Sequence, residues 1–141
     1  MSRIFWDTNL FIYLLEGAGH SSRRVRTLLD RMIERKDELL TSTLTLGEIL
    51  VKPLEAGGTE LMARYDRFLD SPGVHLIPFD RESARIYASL RQDRALKAPD
   101  AIQLSCAASA GTNLFITNDS RLSRKVVPGV DFIVPLEQAW L

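Results

Sequence analysis

The chain has 141 residues, 45 % of them hydrophobic, and 18 basic side chains balance 18 acidic ones. That length and apolar content suit one domain, residues 1–141, with a sizeable core, and exclude disorder as the main description. Zero net charge excludes bulk attraction to a polyanion, so any nucleic-acid contact has to come from local basic patches.

Taken in chain order, Arg3 to Trp6 is a short apolar run and is expected to be a strand. It ends at Asp7-Thr8-Asn9, residues suited to turns and helix caps. Leu10 to Leu15 continues as a short helix that Gly17 and Gly19 stop. Ser21 or Ser22 is expected to cap the next helix, which runs to about Asp37 with Val25, Leu28, Leu29, Met32 and Ile33 on one face. Its arginine-rich other face reads as solvated. Leu39 to Ser42 is a second strand. Thr45 to Glu48 opens a helix that reaches Lys52, where Pro53 disturbs it. Gly57-Gly58 forms a loop, Glu60 to Leu69 a helix, Ser71-Pro72-Gly73 a turn, and Val74 to Ile77 a third strand.

Asp80 caps a helix to about Arg94, with Ala84, Tyr87, Ala88 and Leu90 inward. Pro99 suits the first position of a helix from Asp100 to Ala110, which Gly111 ends. That helix is apolar on most sides and should be heavily buried. Leu114 to Thr117 is a fourth strand ending at Asn118-Asp119. Asp131 to Val134 is a weak fifth, and Leu136 to Trp140 is expected to dock the terminus, with Trp140 and Leu141 covering an apolar edge. Short apolar strands alternating with helices imply a mostly parallel sheet of four to five strands, covered on both faces.

In such sheets ligands bind outside the carboxyl ends of the strands. Asp7 and Asp119 each follow a strand directly. Glu48 and Asp100 each lie in the first turn of a helix. Each acid has an ordinary explanation: Thr45-x-x-Glu48 fits a capping box, and the aspartates suit helix starts. Clustered together they need another one, because two carboxylates ~4 Å apart repel by about 4 kcal/mol at an effective dielectric of 20. A hard divalent cation, Mg²⁺ or Mn²⁺, offsets such repulsion.

Ile4-Phe5-Trp6-Asp7-Thr8-Asn9, Thr45-Leu46-Gly47-Glu48-Ile49, Ala98-Pro99-Asp100-Ala101-Ile102-Gln103-Leu104 and Phe115-Ile116-Thr117-Asn118-Asp119 resemble the four acidic motifs of PIN-domain ribonucleases, in the order and spacing of VapC-type toxins of toxin–antitoxin pairs. The resemblance covers essentially the whole chain. It implies a PIN-like three-layer α/β/α sandwich and a Mg²⁺-dependent endoribonuclease that leaves a 5′-phosphate and a 3′-hydroxyl. By position, Asp7 and Asp100 resemble the principal Mg²⁺ ligands. Glu48 resembles the acid that completes the cage or orients water, and Asp119 the fourth acid, which binds a second metal or acts through water. Thr8 or Thr117 is placed to offer hydroxyls to these carboxylates or to substrate. The family often has an aromatic where this chain has Leu122, a change in packing. An RNA substrate, a cognate antitoxin and a homodimer are the partners implied.

Lys52, one helical turn after Glu48, and Arg121, soon after Asp119, are candidates for gripping a phosphate. Phe11, Tyr13, Leu46, Ile49 and Leu50 are either a partner surface or ordinary core. Cys106 reads as a small core residue, since no histidine is placed to activate it. His20 and His75 stand in no ligand spacing. No apolar run approaches a membrane span, and Asp7 and Asn9 interrupt the place of a signal peptide's apolar stretch, so a cytoplasmic protein is expected. Two other readings compete with the nuclease. One is a PIN-like module that binds RNA or protein without cutting. The other is a phosphatase with Asp7 as nucleophile, which the Asn at position 9 disfavours because haloacid-dehalogenase-like phosphatases carry a second Asp there.

Overall fold

Ile4, Phe5 and Trp6 are wholly buried, which is what an uninterrupted apolar run demands: both of its faces must be covered. In the computed structural model, which describes residues 1–141, this run is β1 (Arg3–Trp6), the central strand of the sheet. The remaining elements are α1 (Thr8–Glu16), α2 (His20–Arg35), β2 (Glu38–Ser42), α3 (Thr43–Ala56), α4 (Thr59–Leu69), β3 (Val74–Ile77), α5 (Arg81–Leu90), α6 (Ala98–Ala110), β4 (Thr112–Thr117) and β5 (Val130–Pro135). The sheet runs β3-β2-β1-β4-β5, and every pairing is parallel.

Two apolar cores lie on opposite faces of this sheet. Ile4, Trp6 and Ile116 pack with Leu10, Phe11, Val25, Leu28, Ile49 and Tyr65 of α1 to α4. Phe5, Leu40 and Phe115 pack with Ala101, Leu104 and Ala107 of α6. The period of two along each strand sends alternate side chains to the two layers. The result is the three-layer α/β/α sandwich expected. From β1 the chain moves outward to β2 and β3, then returns to place β4 on the other side of β1. The order therefore reverses between β1 and β4, and a crevice opens there at their carboxyl ends.

Several local expectations fail for identifiable reasons. Neither Ser21 nor Ser22 caps α2; Gly19 precedes it, with no side-chain cap, and the Ser22 hydroxyl donates to the Gly17 carbonyl instead. Ile33 and Ala88 are exposed, so the buried faces of α2 and α5 are narrower than periodicity suggests. The latter helix ends at Leu90, short of Arg94. α3 continues through Pro53 to Ala56; the proline lacks the amide that would donate to the Ile49 carbonyl, and the helix closes just beyond it, where the Gly57 and Gly58 amides donate to the Leu54 and Pro53 carbonyls. Leu136 is buried, but Trp140 is 78 % exposed and lies under the Arg24 guanidinium rather than over an apolar edge. Phe11 and Ile49 are core, with Tyr13, Leu46 and Leu50 packed against them, so this group is not a free partner surface.

A candidate metal-dependent active site at the carboxyl edge of the sheet

Asp7 is the first residue after β1 and the N-cap of α1. Its amide donates to the Ile116 carbonyl at 3.0 Å, which ties it across the crevice to β4. Its carboxylate accepts from the Thr8 amide at 2.9 Å and from the Thr117 hydroxyl at 2.9 Å. Thr117 closes β4, and its oxygen also accepts the Asp119 amide at 3.0 Å. One threonine thus sets the relative placement of two acids. Asp100 enters from the first turn of α6. Asp7, Asp100 and Asp119 line one pocket of about 480 Å³ with Asn9, Asn118, Ser120 and Arg121, and no apolar side chain lines it.

Glu48 is placed differently from expectation. Ser42 caps α3 and accepts the Thr45 amide, so Thr45 lies inside the helix and Glu48 in its second turn. The capping box is therefore absent. Glu48 instead accepts the Thr8 hydroxyl at 2.6 Å, across the gap between α3 and α1. It lines a neighbouring groove with Ile12, Glu16, Ile49, Val51 and Lys52. Three of the four predicted acids share a pocket, and the fourth flanks it. Lys52 keeps company with Glu48, while Arg121 is in the acidic pocket. No three Asp, Glu, His or Cys side chains are gathered tightly enough to hold an ion by themselves.

Burial pushes the Asp7 carboxyl above its usual range, and the charges of Asp100 and Glu48 push further, against the two hydrogen bonds that favour its ionised form. Asp100 is raised by burial and by Asp119. Asp119 is held low, because Arg121 binds it directly. Neither Asp7 nor Asp100 forms a salt bridge. Two half-buried, mutually repelling carboxylates without a cationic partner fit a hard divalent ion. Mg²⁺ in particular is commonly held by one or two carboxylates and completes its shell with water and phosphate oxygens. Cys106 does not take part: burial raises its thiol to about 11.

Beneath the acids lies a polar network that the sequence reading passed over. Gln103 donates to Thr8 at 3.0 Å and to Thr45 at 2.8 Å, and accepts from the Ser42 hydroxyl at 2.5 Å. Thr41 joins through its single proton, which has the Thr45 hydroxyl oxygen at 2.8 Å and the Trp6 carbonyl at 2.9 Å as alternative acceptors. Each hydroxyl carries one proton. With Thr8's proton given to Glu48, Thr8 accepts from Gln103 and Thr45. The signal was present: Gln103 is an amide in a helix expected to be buried on most sides, and a buried amide needs partners.

A family model described as PIN domain matches residues 4–127. The chain belongs to the PIN-domain family. Solved structures similar to this PIN domain include VapBC2 from Rickettsia felis bound to a DNA fragment from its promoter (16 % identity, TM-score 0.75, covering 94 % of this chain and 98 % of that one). A DNA-bound VapBC from Salmonella typhimurium shares 18 % identity with a TM-score of 0.74 over 96 % of this chain and 99 % of that one. A toxin–antitoxin complex from Klebsiella pneumoniae shares 25 % identity with a TM-score of 0.67 over 90 % of this chain and 94 % of that one. A search of curated proteins found no match. No helix is long and apolar enough to cross a membrane.

Proposed function

We propose that this PIN domain is a metal-dependent endoribonuclease, the VapC-type toxin of a toxin–antitoxin pair, acting in the cytoplasm and held in check by an antitoxin. One observation carries the reading: Asp7 and Asp100, unpaired by any cation, line a wholly polar pocket at the topological switch point. The toxin–antitoxin complexes among its structural neighbours support the partner. A second copy of the chain is the other partner proposed.

Asp7 and Asp100 would hold Mg²⁺ or Mn²⁺, which when bound supplies Lewis-acid chemistry for phosphodiester hydrolysis. The chain's own groups divide the remaining work. Thr8 and Thr117 fix both Asp7 oxygens. Glu48 has one oxygen anchored by Thr8, which leaves the other to orient a water or take its proton. Arg121 presents a guanidinium at the pocket, and Lys52 an ammonium beyond Glu48, each suited to an RNA phosphate.

The decisive experiment compares wild type with Asp7→Asn and Asp100→Asn on an RNA pool, with and without chelator. Cleavage lost in both variants and in chelator is expected. Full cleavage by both folded variants refutes the assignment. The position of Glu48 outside the acidic pocket favours a second reading, a PIN-like module that binds RNA without cutting it. RNA bound by the protein yet left intact across a Mg²⁺ titration would favour that reading.

A further inference from the structure

The acidic pocket contains a cation of its own. Arg121 donates from Nε to Asp119 Oδ1 at 3.1 Å and from Nη2 to Oδ2 at 2.9 Å. Its backbone amide adds a third bond to Oδ1 at 2.9 Å. The fork meets the carboxylate side-on, in the bidentate geometry that makes arginine pairs specific. The clamp is local, spanning two residues, and Thr117 anchors its base. Asp119 thus spends most of its acceptor capacity on Arg121, whereas Asp7 and Asp100 have no cationic partner.

Resting on the metal-dependent reading above, we propose that the pocket is a one-ion site. Asp7 and Asp100 hold the ion, and Arg121, positioned by Asp119, stands in place of a second divalent cation. Charge balance agrees. Three aspartates face the pocket and Arg121 returns one positive charge, so the remaining two negative charges match one divalent ion. A second ion would have to displace the guanidinium or sit against it. Asp119 is on this account a positioning residue that acts through Arg121, not a metal ligand.

Mn²⁺ binding to the metal-stripped chain, followed by calorimetry and by loss of the free-ion paramagnetic resonance signal, tests the assignment. Its readout is ion stoichiometry, which a merely structural role for the pair would not move. Wild type should bind one ion. Arg121→Gln frees the Asp119 carboxylate and should bind a second, weaker ion. The double variant Asp119→Asn/Arg121→Gln removes the pair without changing net charge, and should bind one ion within about threefold of wild-type affinity. Asp100→Asn should weaken binding at least about tenfold. Two ions in wild type overturn the one-ion assignment, a single ion in Arg121→Gln overturns the role of Arg121 in place of a second cation, and a double variant as weak as Asp100→Asn overturns the positioning role of Asp119; each leaves a metal-dependent nuclease standing. A folded wild type that binds no ion overturns both.

Discussion

Replacing Gln103 with leucine keeps the volume of a buried side chain and deletes every polar contact it makes. The amide of Gln103 spans Thr8, Thr45 and Ser42 at 3.0, 2.8 and 2.5 Å. At about 1 kcal/mol net for each bond, the loss is about 3 kcal/mol. The Ser42 hydroxyl, itself buried, is left without its acceptor, and the apolar gain from leucine offsets part of that cost. For a chain of 141 residues, an unfolding entropy of ~2.1 cal/mol/K per residue turns about 3 kcal/mol into a fall in Tm of about 10 °C. Circular dichroism melts of the metal-free protein measure it. The double variant Ser42→Ala/Gln103→Leu removes both partners and should recover about 1 kcal/mol relative to additivity. If Gln103→Leu melts within about 3 °C of wild type, or if the two substitutions simply add, the network is not what holds α6 against α3. Cleavage should also fall in Gln103→Leu, because Thr8 loses the amide that orients it toward Glu48.

The site and the fold give two further expectations. In metal-free buffer Asp7→Asn should raise Tm at pH 7, and with the metal restored it should not cleave. The folded pKa of Asp7 lies above its unfolded value, so the folded state binds the proton more tightly. Its ionised form costs stability above that folded pKa, and the cost disappears as pH falls through the unfolded value. Asparagine keeps the cap, so the variant's advantage should shrink in melts at pH 4, and a Tm lowered at pH 7 would contradict the electrostatic argument. Gly129, at φ +98°, would bring an added Cβ within 2.7 Å of the Ala108 carbonyl oxygen. Gly19→Ala, at φ +99° and ψ −161° in open space, carries backbone strain alone, about 1–3 kcal/mol, and Gly129→Ala, which adds the clash with Ala108 to its positive φ, should destabilise by more. Equal melting shifts for the two would rule out the close approach of β5 to α6.

The strand β1 was legible residue for residue, because Ile4-Phe5-Trp6 has no polar residue to expose and its boundary is marked by Asp7. The helix starts were less legible. Ser22 and Thr45 look like caps in isolation. Each in fact spends its hydroxyl elsewhere, Ser22 on Gly17 and Thr45 within the Gln103 network, since a tertiary partner at hydrogen-bond distance outcompetes a local one. Pro53 was read as a disturbance, because a window of sequence cannot tell the last turn of a helix from its middle.

The sequence by itself determined the alternation of strands and helices, the parallel sheet they imply, and the placing of Asp7 and Asp119 at strand ends, because these follow from local periodicity and covalent order. Only the tertiary structure decided how the four acids divide. Asp7 and Asp100 share a pocket without a salt bridge to either, Asp119 is taken by Arg121, and Glu48 stands aside on α3, anchored by Thr8. The hydrogen bonds that hold Asp7 to Thr117 and Glu48 to Thr8 join residues 110 and 40 positions apart in the chain, and such contacts are set by how the layers pack, whereas the Asp119–Arg121 pair spans two residues and needs only the local turn.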